Sequence, residues 1–376
     1  MNKSKAPIQE SKRNYGVDLL RMVAMMMVVA LHTLSRSGLL TKTSAGSIKY
    51  ETSWFLEIIC YCAVDCFVLI SGYVGLKTKF KLSRIANLWL QVTFYTVGLN
   101  LLMCAVNHNF SAEKVLHSFF PVINNTYWFF TQYFILSFFM PFINKLILSM
   151  DTKKLKAIFV IGMLFLSIVP MITYFLRTFD KSVVKDLFFE NRGYSVIWLS
   201  FVYALGGIIK KSSEEGIIKN RKAVTYFLIF ILLSSLTWLI HYICVNSKNS
   251  ISHNFIVAYT SPLIILSAIS LLMLFANLNI KSKPSVKLIS IISPGVFSVY
   301  LIHSNPSIYN EFTKHVKPIL EYRTAVAMLC VLFTVIFVFI VCSTADIIRS
   351  KLFKLFKIDK LVKKLDNTKL NTLMDL

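Results

Sequence analysis

Charge is scarce in this chain. Only 16% of its 376 residues are charged, where soluble domains carry about a quarter. Acids are rarer still: 18 Asp and Glu stand against 41 Lys and Arg, a formal net charge of +23. Glycine and proline are sparse too, at 12 and 9 residues, beside 56% hydrophobic residues. The shortage of charge excludes an ordinary cytosolic enzyme, and the hydrophobic surplus excludes intrinsic disorder. So little glycine excludes collagen. The 7 cysteines do not make a disulfide scaffold, since all fall inside apolar runs, where a thiol packs as a small apolar group. Cys60 and Cys62 point ~200° apart on a helix, and no histidine shares the face. Cys60, Cys62 and Cys66 are therefore not expected to hold a metal.

Apolar runs, by contrast, recur along the whole chain. Mean hydropathy is +0.63, and the runs are of the length that crosses a bilayer. The composition predicts an all-α integral membrane protein, a polytopic bundle of about ten transmembrane helices. Spans are expected at 15–34, 52–75, 85–106, 128–149, 157–176, 194–209, 223–245, 254–279, 288–303 and 324–348. The sixth is short. The ninth contains Pro294-Gly295, read either as a simple kink or as a break lining a cavity. The first span is not expected to be a removable signal, because Asp18 and Arg21 interrupt it and no small-residue cleavage site follows.

Lys and Arg density orients the bundle. With a cytoplasmic N-terminus the inner loops 76–84, 145–156, 210–222 and 280–287 hold 16 Lys and Arg in 42 residues. The outer loops 35–51, 107–127, 177–193, 246–253 and 304–323 hold 12 in 83. Both termini are therefore expected in the cytoplasm. The positive charge orients helices and does not form the basic face of a nucleic-acid-binding domain. Residues 1–14 read as a cytoplasmic tail, 15–348 as one membrane domain, and 349–376 as a basic cytoplasmic tail. The last is either an amphipathic helix on the anionic inner leaflet or a solvated tail.

Ionisable residues inside spans are costly and mark functional candidates. The first span holds Asp18, Arg21 and His32. Asp18 and Arg21 stand at i,i+3 and can pair. Arg21 and His32 are separated by ~1100° of helical rotation, about 20° from an integral number of turns, so both face one way, ~16 Å apart. One stripe thus carries a carboxylate and a guanidinium near the cytoplasm and an imidazole near the outer end. The second span holds Glu57, near the outer end and read as structural, and Asp65, near the midplane. A lone carboxylate there needs a partner, and a cation or imidazole of the first span is the natural one. Ser71-Gly72 follows and permits close helix approach. The inner loop carries Lys77, Lys79, Lys81 and Arg84. It reads as the positive-inside signal or as a phosphate clamp for a cytoplasmic donor. Trp128 and His303 stand at span ends, as interfacial residues do.

Three segments resemble the membrane-bound acyltransferase-3 family. Tyr15-Gly16-Val17-Asp18-Leu19-Leu20-Arg21, running on to His32, is similar to its "LDxxR" motif followed by a spaced histidine. VDCFVLISGY at 64–73 is similar to "VDxFFVLSGF". SVYLIH at 298–303, with Tyr300 and His303, is similar to its late "S-x-YLIH" helix. The resemblance implies an O-acyltransferase of surface glycans in the cell membrane. It implies acetyl-CoA or another acyl-CoA as donor substrate, with no permanently bound cofactor. It also implies that His32 and Arg21 are essential. The family's inner Arg-x-x-Arg corresponds to Lys81-Leu82-Ser83-Arg84, with a less directional lysine first. Some members of the family carry an extracellular hydrolase-like domain that finishes the transfer. This chain shows none, so either it acylates the acceptor itself or a separate transferase partner does.

The expected protein is thus an integral-membrane O-acetyltransferase acting on a cell-surface polysaccharide or lipid-linked glycan. His32 would be the general base or acyl carrier, Asp65 its orienting partner or the counter-charge of Arg21, and Lys81, Arg84 and Arg21 the donor contacts. Asp18, Ser71, Trp128, Tyr300 and His303 would support them. The competing readings are a glycan or lipid transporter, which also buries charge at the midplane, and a non-enzymatic sensor or assembly subunit.

Overall fold

The computed structural model describes residues 13–179, 191–218, 221–247 and 252–375. The N-terminal tail to residue 12 and most of the expected outer loop 177–193 lie outside them. Among the described residues the chain is helical, without a strand. The bundle is built from α1 (Tyr15–Ser37), α2 (Ile48–Gly75), α3 (Leu82–Val106), α4 (Trp128–Ser149) and α5 (Thr152–Leu176). It continues through α6 (Val196–Glu214), α7 (Ala223–Val245), α8 (Pro262–Ala276), α9 (Lys283–His303) and α10 (Thr324–Leu355).

Eight of these are long and apolar enough to cross a membrane, fewer than the ten expected. The two exceptions are α6, 19 residues ending in lysines and acids, and α8, only 15 residues. The expected start of α8 at 254 fails because His253–Phe255 makes a separate 3-10 turn. The helix opens at Pro262, whose missing N–H costs nothing at a first helical position.

α1 is the axis of the bundle. Asn14 caps it by accepting the N–H groups of Gly16 and Val17. Leu, Met, Ala and Val fill its interior, and Gly38 ends it at φ 85, a left-handed conformation that glycine adopts without steric cost. It is buried along most of its length. α7, by contrast, exposes Phe227, Leu228, Leu232 and Ile243, an outward apolar face suited to lipid tails. α2 and α6 cross tightly. Gly72 meets the Tyr203 carbonyl and Gly206 the Leu69 carbonyl, and a Cβ at either glycine would overlap the opposing oxygen.

Interruptions place the site. α2 bends at Cys62, with no Pro or Gly to announce it. α5 loosens into a π turn at Leu164–Ile168, just before Pro170 removes a backbone donor. α9 breaks at a 3-10 turn, Ser293–Gly295, where the sequence places Pro-Gly. The break is held against α10. Asp346 lies so near Gly295 that a Cβ would press on its carboxylate. The same carboxylate accepts from Tyr95 of α3 at 2.8 Å and Arg349 at 2.6 Å. This buried acid was not singled out by sequence.

Arg13 and Asn14, at the start of α1, line one cavity with Lys77 and Thr78. The C-terminal segment packs beside them. Past α10, which runs seven residues beyond the expected end, it forms the short helices Ile358–Lys363 and Lys369–Met374. Its Asp366 accepts from the Ser83 N–H at 2.9 Å and the Ser83 hydroxyl at 2.8 Å, and Asn371 accepts from the Leu82 N–H at 2.8 Å. A distant segment thus caps α3, whose own cap residue Lys81 makes no side-chain cap bond. Both described chain ends share one basic end of the bundle.

Candidate active site

At the basic end, Asp18 is clamped between two arginines. Its carboxylate accepts from Arg13 Nε and Arg21 Nη1, each at 2.5 Å. The expected i,i+3 pair is therefore present, extended to a triad. Because Asp18 is buried, this charge pairing is what makes its burial tolerable. Arg21 borders two cavities. The larger, about 960 Å³, includes Ser71, Tyr133, Lys77 and Lys210. The smaller, about 340 Å³, includes Lys81, Arg84 and Ser71. Tyr133 donates to Ser71 Oγ at 3.0 Å and fixes that wall. Lys77 is matched by Glu214 at 2.8 Å. Burial raises the Asp366 carboxyl, but the Ser83 hydrogen bonds and the Lys81 and Arg84 charges outweigh it and hold it below its ordinary value.

Eleven residues beyond Arg21, the far end of α1 is built differently. His303 Nδ1 lies 2.5 Å from the Val299 carbonyl. A carbonyl only accepts, so that nitrogen carries the proton and His303 Nε2 is an acceptor. His32 Nδ1 stands 2.8 Å from His303 Nε2, so it must donate. A neutral His32 then keeps its lone pair on Nε2. Ser304 Oγ, 3.1 Å from His32 Nδ1 and 3.3 Å from His303 Nε2, closes the polar triangle. Behind it, Tyr127 donates to the Leu301 carbonyl at 2.6 Å and accepts from Asn305 at 2.7 Å. These bonds fix the end of α9.

Cavities with shared walls lie between the two ends. A narrow space of about 50 Å³ lies beside His32 among Met25, Val28, Val64 and Phe67. Phe67, Phe129 and Phe297 line both it and the large basic cavity. On the other side, His32, Trp128 and Tyr300 line both it and a far-end cavity of about 170 Å³. Arg21 and His32, predicted on one stripe, thus face successive parts of one series of cavities.

The structure departs from expectation at two acids. Asp65 meets neither Arg21 nor His32. Its Oδ1 accepts from Trp198 Nε1 at 3.0 Å, and Oδ2 has no partner among the described residues. The close α2–α6 crossing brings the indole there first. Glu57, whose place near the outer end suggested access to water, is instead buried, and its Oε2 has no partner among the described residues. Trp128, expected at the membrane interface, packs on Tyr194 at 4.4 Å between ring centroids and walls the His32 cavities. Lys81 and Arg84 do reach the cavity that Arg21 borders. Tyr127, Tyr133, Ser304 and Arg36 were missed. Arg36 had a signal, since it follows His32 at i,i+4 and shares its face.

The family model of an acyltransferase domain, acyltransferase-3, matches residues 14–344. The match takes in Asp18, Arg21, His32 and His303, and stops short of Arg13 at one end and of the C-terminal segment at the other. No curated protein and no solved structure matches the chain significantly.

Proposed function

The chain belongs to the acyltransferase-3 family, and from that premise we propose that this multi-pass membrane acyltransferase moves an acetyl group from acetyl-CoA to a hydroxyl of a surface polysaccharide or lipid-linked glycan. One observation carries the reading. His32 lines a cavity on each side of itself, and its Nε2 alone makes no hydrogen bond to a described residue. A base so placed can meet a donor from one side and an acceptor from the other.

The basic end suits the donor's phosphates. Arg84 and Arg21 offer planar, bidentate donors and Lys81 a point charge. With that end in the cytoplasm of a cell-membrane protein, the donor's arm passes Phe67, Phe129 and Phe297 and brings its thioester to the narrow space beside His32. The acceptor enters from the far-end cavity. Its hydroxyl proton passes to His32 Nε2, and its oxygen forms a bond to the thioester carbonyl carbon. The carbon–sulfur bond then breaks, and the CoA sulfur leaves with the proton returned by the imidazolium. His303 is a positioning residue, holding the His32 tautomer through Nδ1. A space of about 50 Å³ beside His32 accommodates a small acyl group and does not suit passage of a glycan by a transporter.

The test compares O-acetyl content of surface glycans in wild type, a deletion strain, and the deletion carrying His32→Ala at matched protein level. Loss in both altered strains supports the reading. Normal acetylation by His32→Ala would remove His32 from the mechanism. An acetylated His32 found by mass spectrometry after donor alone would replace the general base with an acyl carrier.

A further inference from the structure

Arg36 is the one charged side chain lining the far-end cavity. Its guanidinium lies 3.3 Å over the Tyr309 ring centroid, a stack that occupies one flat face and fixes its orientation. The edge of the guanidinium carries five N–H donors, yet none makes a hydrogen bond or ion pair with a described residue. A capping role is also untaken, because the end of α1 is closed by the Gly38 N–H on the Ser35 carbonyl. No carboxylate lines the cavity, whose other walls include Trp128, Tyr300, Tyr309 and Phe312. Flat aromatic walls suit the faces of a sugar ring. An oriented and unmatched guanidinium suits an oxyanion.

We propose that this cavity selects an acceptor sugar carrying an oxyanion, a carboxylate or a phosphate, about one ring's width from the hydroxyl that is acylated. Arg36 is its counter-charge. The spacing comes from the helix: four residues advance ~6 Å along the axis and keep both side chains on one face. The hydroxyl sits at His32 and the anion one turn further out. The proposal rests on the acyltransferase reading and narrows its substrate to an acidic glycan or a phosphate-linked one.

The test uses full-length protein in detergent, acetyl-CoA, and CoA release as readout. The probes are methyl glucuronide, glucose 6-phosphate and neutral methyl glucoside. The wild type is expected to use one of the two anions at least tenfold better than the glucoside, as judged by kcat/KM. The preferred anion distinguishes a carboxylate sugar from a sugar phosphate. In Arg36→Gln that ratio should fall roughly 10- to 100-fold, the worth of a hydrogen-bonded charge. Arg36→Lys should keep part of it, and Lys42→Gln, on the exposed surface nearby, should keep it whole. A wild type without preference for either anion, or an Arg36→Gln variant that retains the preference, overturns the proposal. His32-dependent CoA release without anion preference sinks this proposal alone. Absence of His32-dependent release sinks the acyltransferase reading and this proposal with it.

Discussion

Two pairs of histidines face each other across helix junctions, and by ring distance they are alike. His32 and His303 have centroids 5.0 Å apart, and His241 and His253 4.7 Å apart. Their partners differ. The first pair stands in a directed series of hydrogen bonds that starts at a backbone carbonyl and ends at a free lone pair. The second is packed on Trp54, with His241 4.5 Å and His253 4.4 Å from its ring centroid. Neither ring nitrogen of His241 has a partner among the described residues. In the loop, burial and the Arg192 charge push His253 down to about 4, so it is neutral at physiological pH. Proximity of two imidazoles therefore says little. A fixed proton direction, with open space at the remaining nitrogen, is what makes a base.

The largest effect expected from breaking the first pair is His32→Ala. On the proposed mechanism this removes the general base, whose loss costs typically 10²–10⁴-fold in rate, and acetyl transfer per mole of inserted protein should fall by that much. His303→Ala leaves the base in place but frees its ring. A misaimed reacting group costs on the order of 100-fold, so kcat should fall by up to that factor while the KM for acetyl-CoA stays within about twofold. His303→Gln retains an oxygen able to accept from His32 Nδ1 and should recover part of the loss. Equal activity of the Ala and Gln variants would show that the acceptor at this position does not orient His32. Smaller again is Arg84→Ala at the basic end. One charge-assisted contact to phosphate is worth about tenfold, expected here in donor KM and not in kcat.

The stripe on α1 is readable because helical rotation is regular: the spacing of Asp18, Arg21 and His32 sets their common direction before any neighbour is known. Apolar runs likewise announce the spans, and Pro294-Gly295 announces the break in α9. Side-chain partners across helices are another matter. His32 meets His303 across 271 residues, and no local period encodes that meeting. Asp65 was assigned to α1 by charge, but Gly72 and Gly206 let α2 and α6 approach until Trp198 took the carboxylate. The capping of α3 by Asp366 and Asn371 depends on where a C-terminal segment folds back. The bend at Cys62 has no residue that would betray it.

The second pair offers the smallest effect and the sharpest contrast. His241 is fully buried and its two ring nitrogens have no partner among the described residues, and a buried polar atom without a hydrogen bond costs about 1–3 kcal/mol. Phenylalanine keeps a flat ring against Trp54 and removes both nitrogens. His241→Phe should therefore keep acetyl transfer within about twofold of wild type. It should also raise the unfolding temperature in detergent, or leave it unchanged if the larger ring strains its neighbours and offsets the gain. A loss of activity approaching that of His303→Ala, at normal stability, would show that the second pair also handles substrate. The distinction drawn from hydrogen-bond direction would then fail.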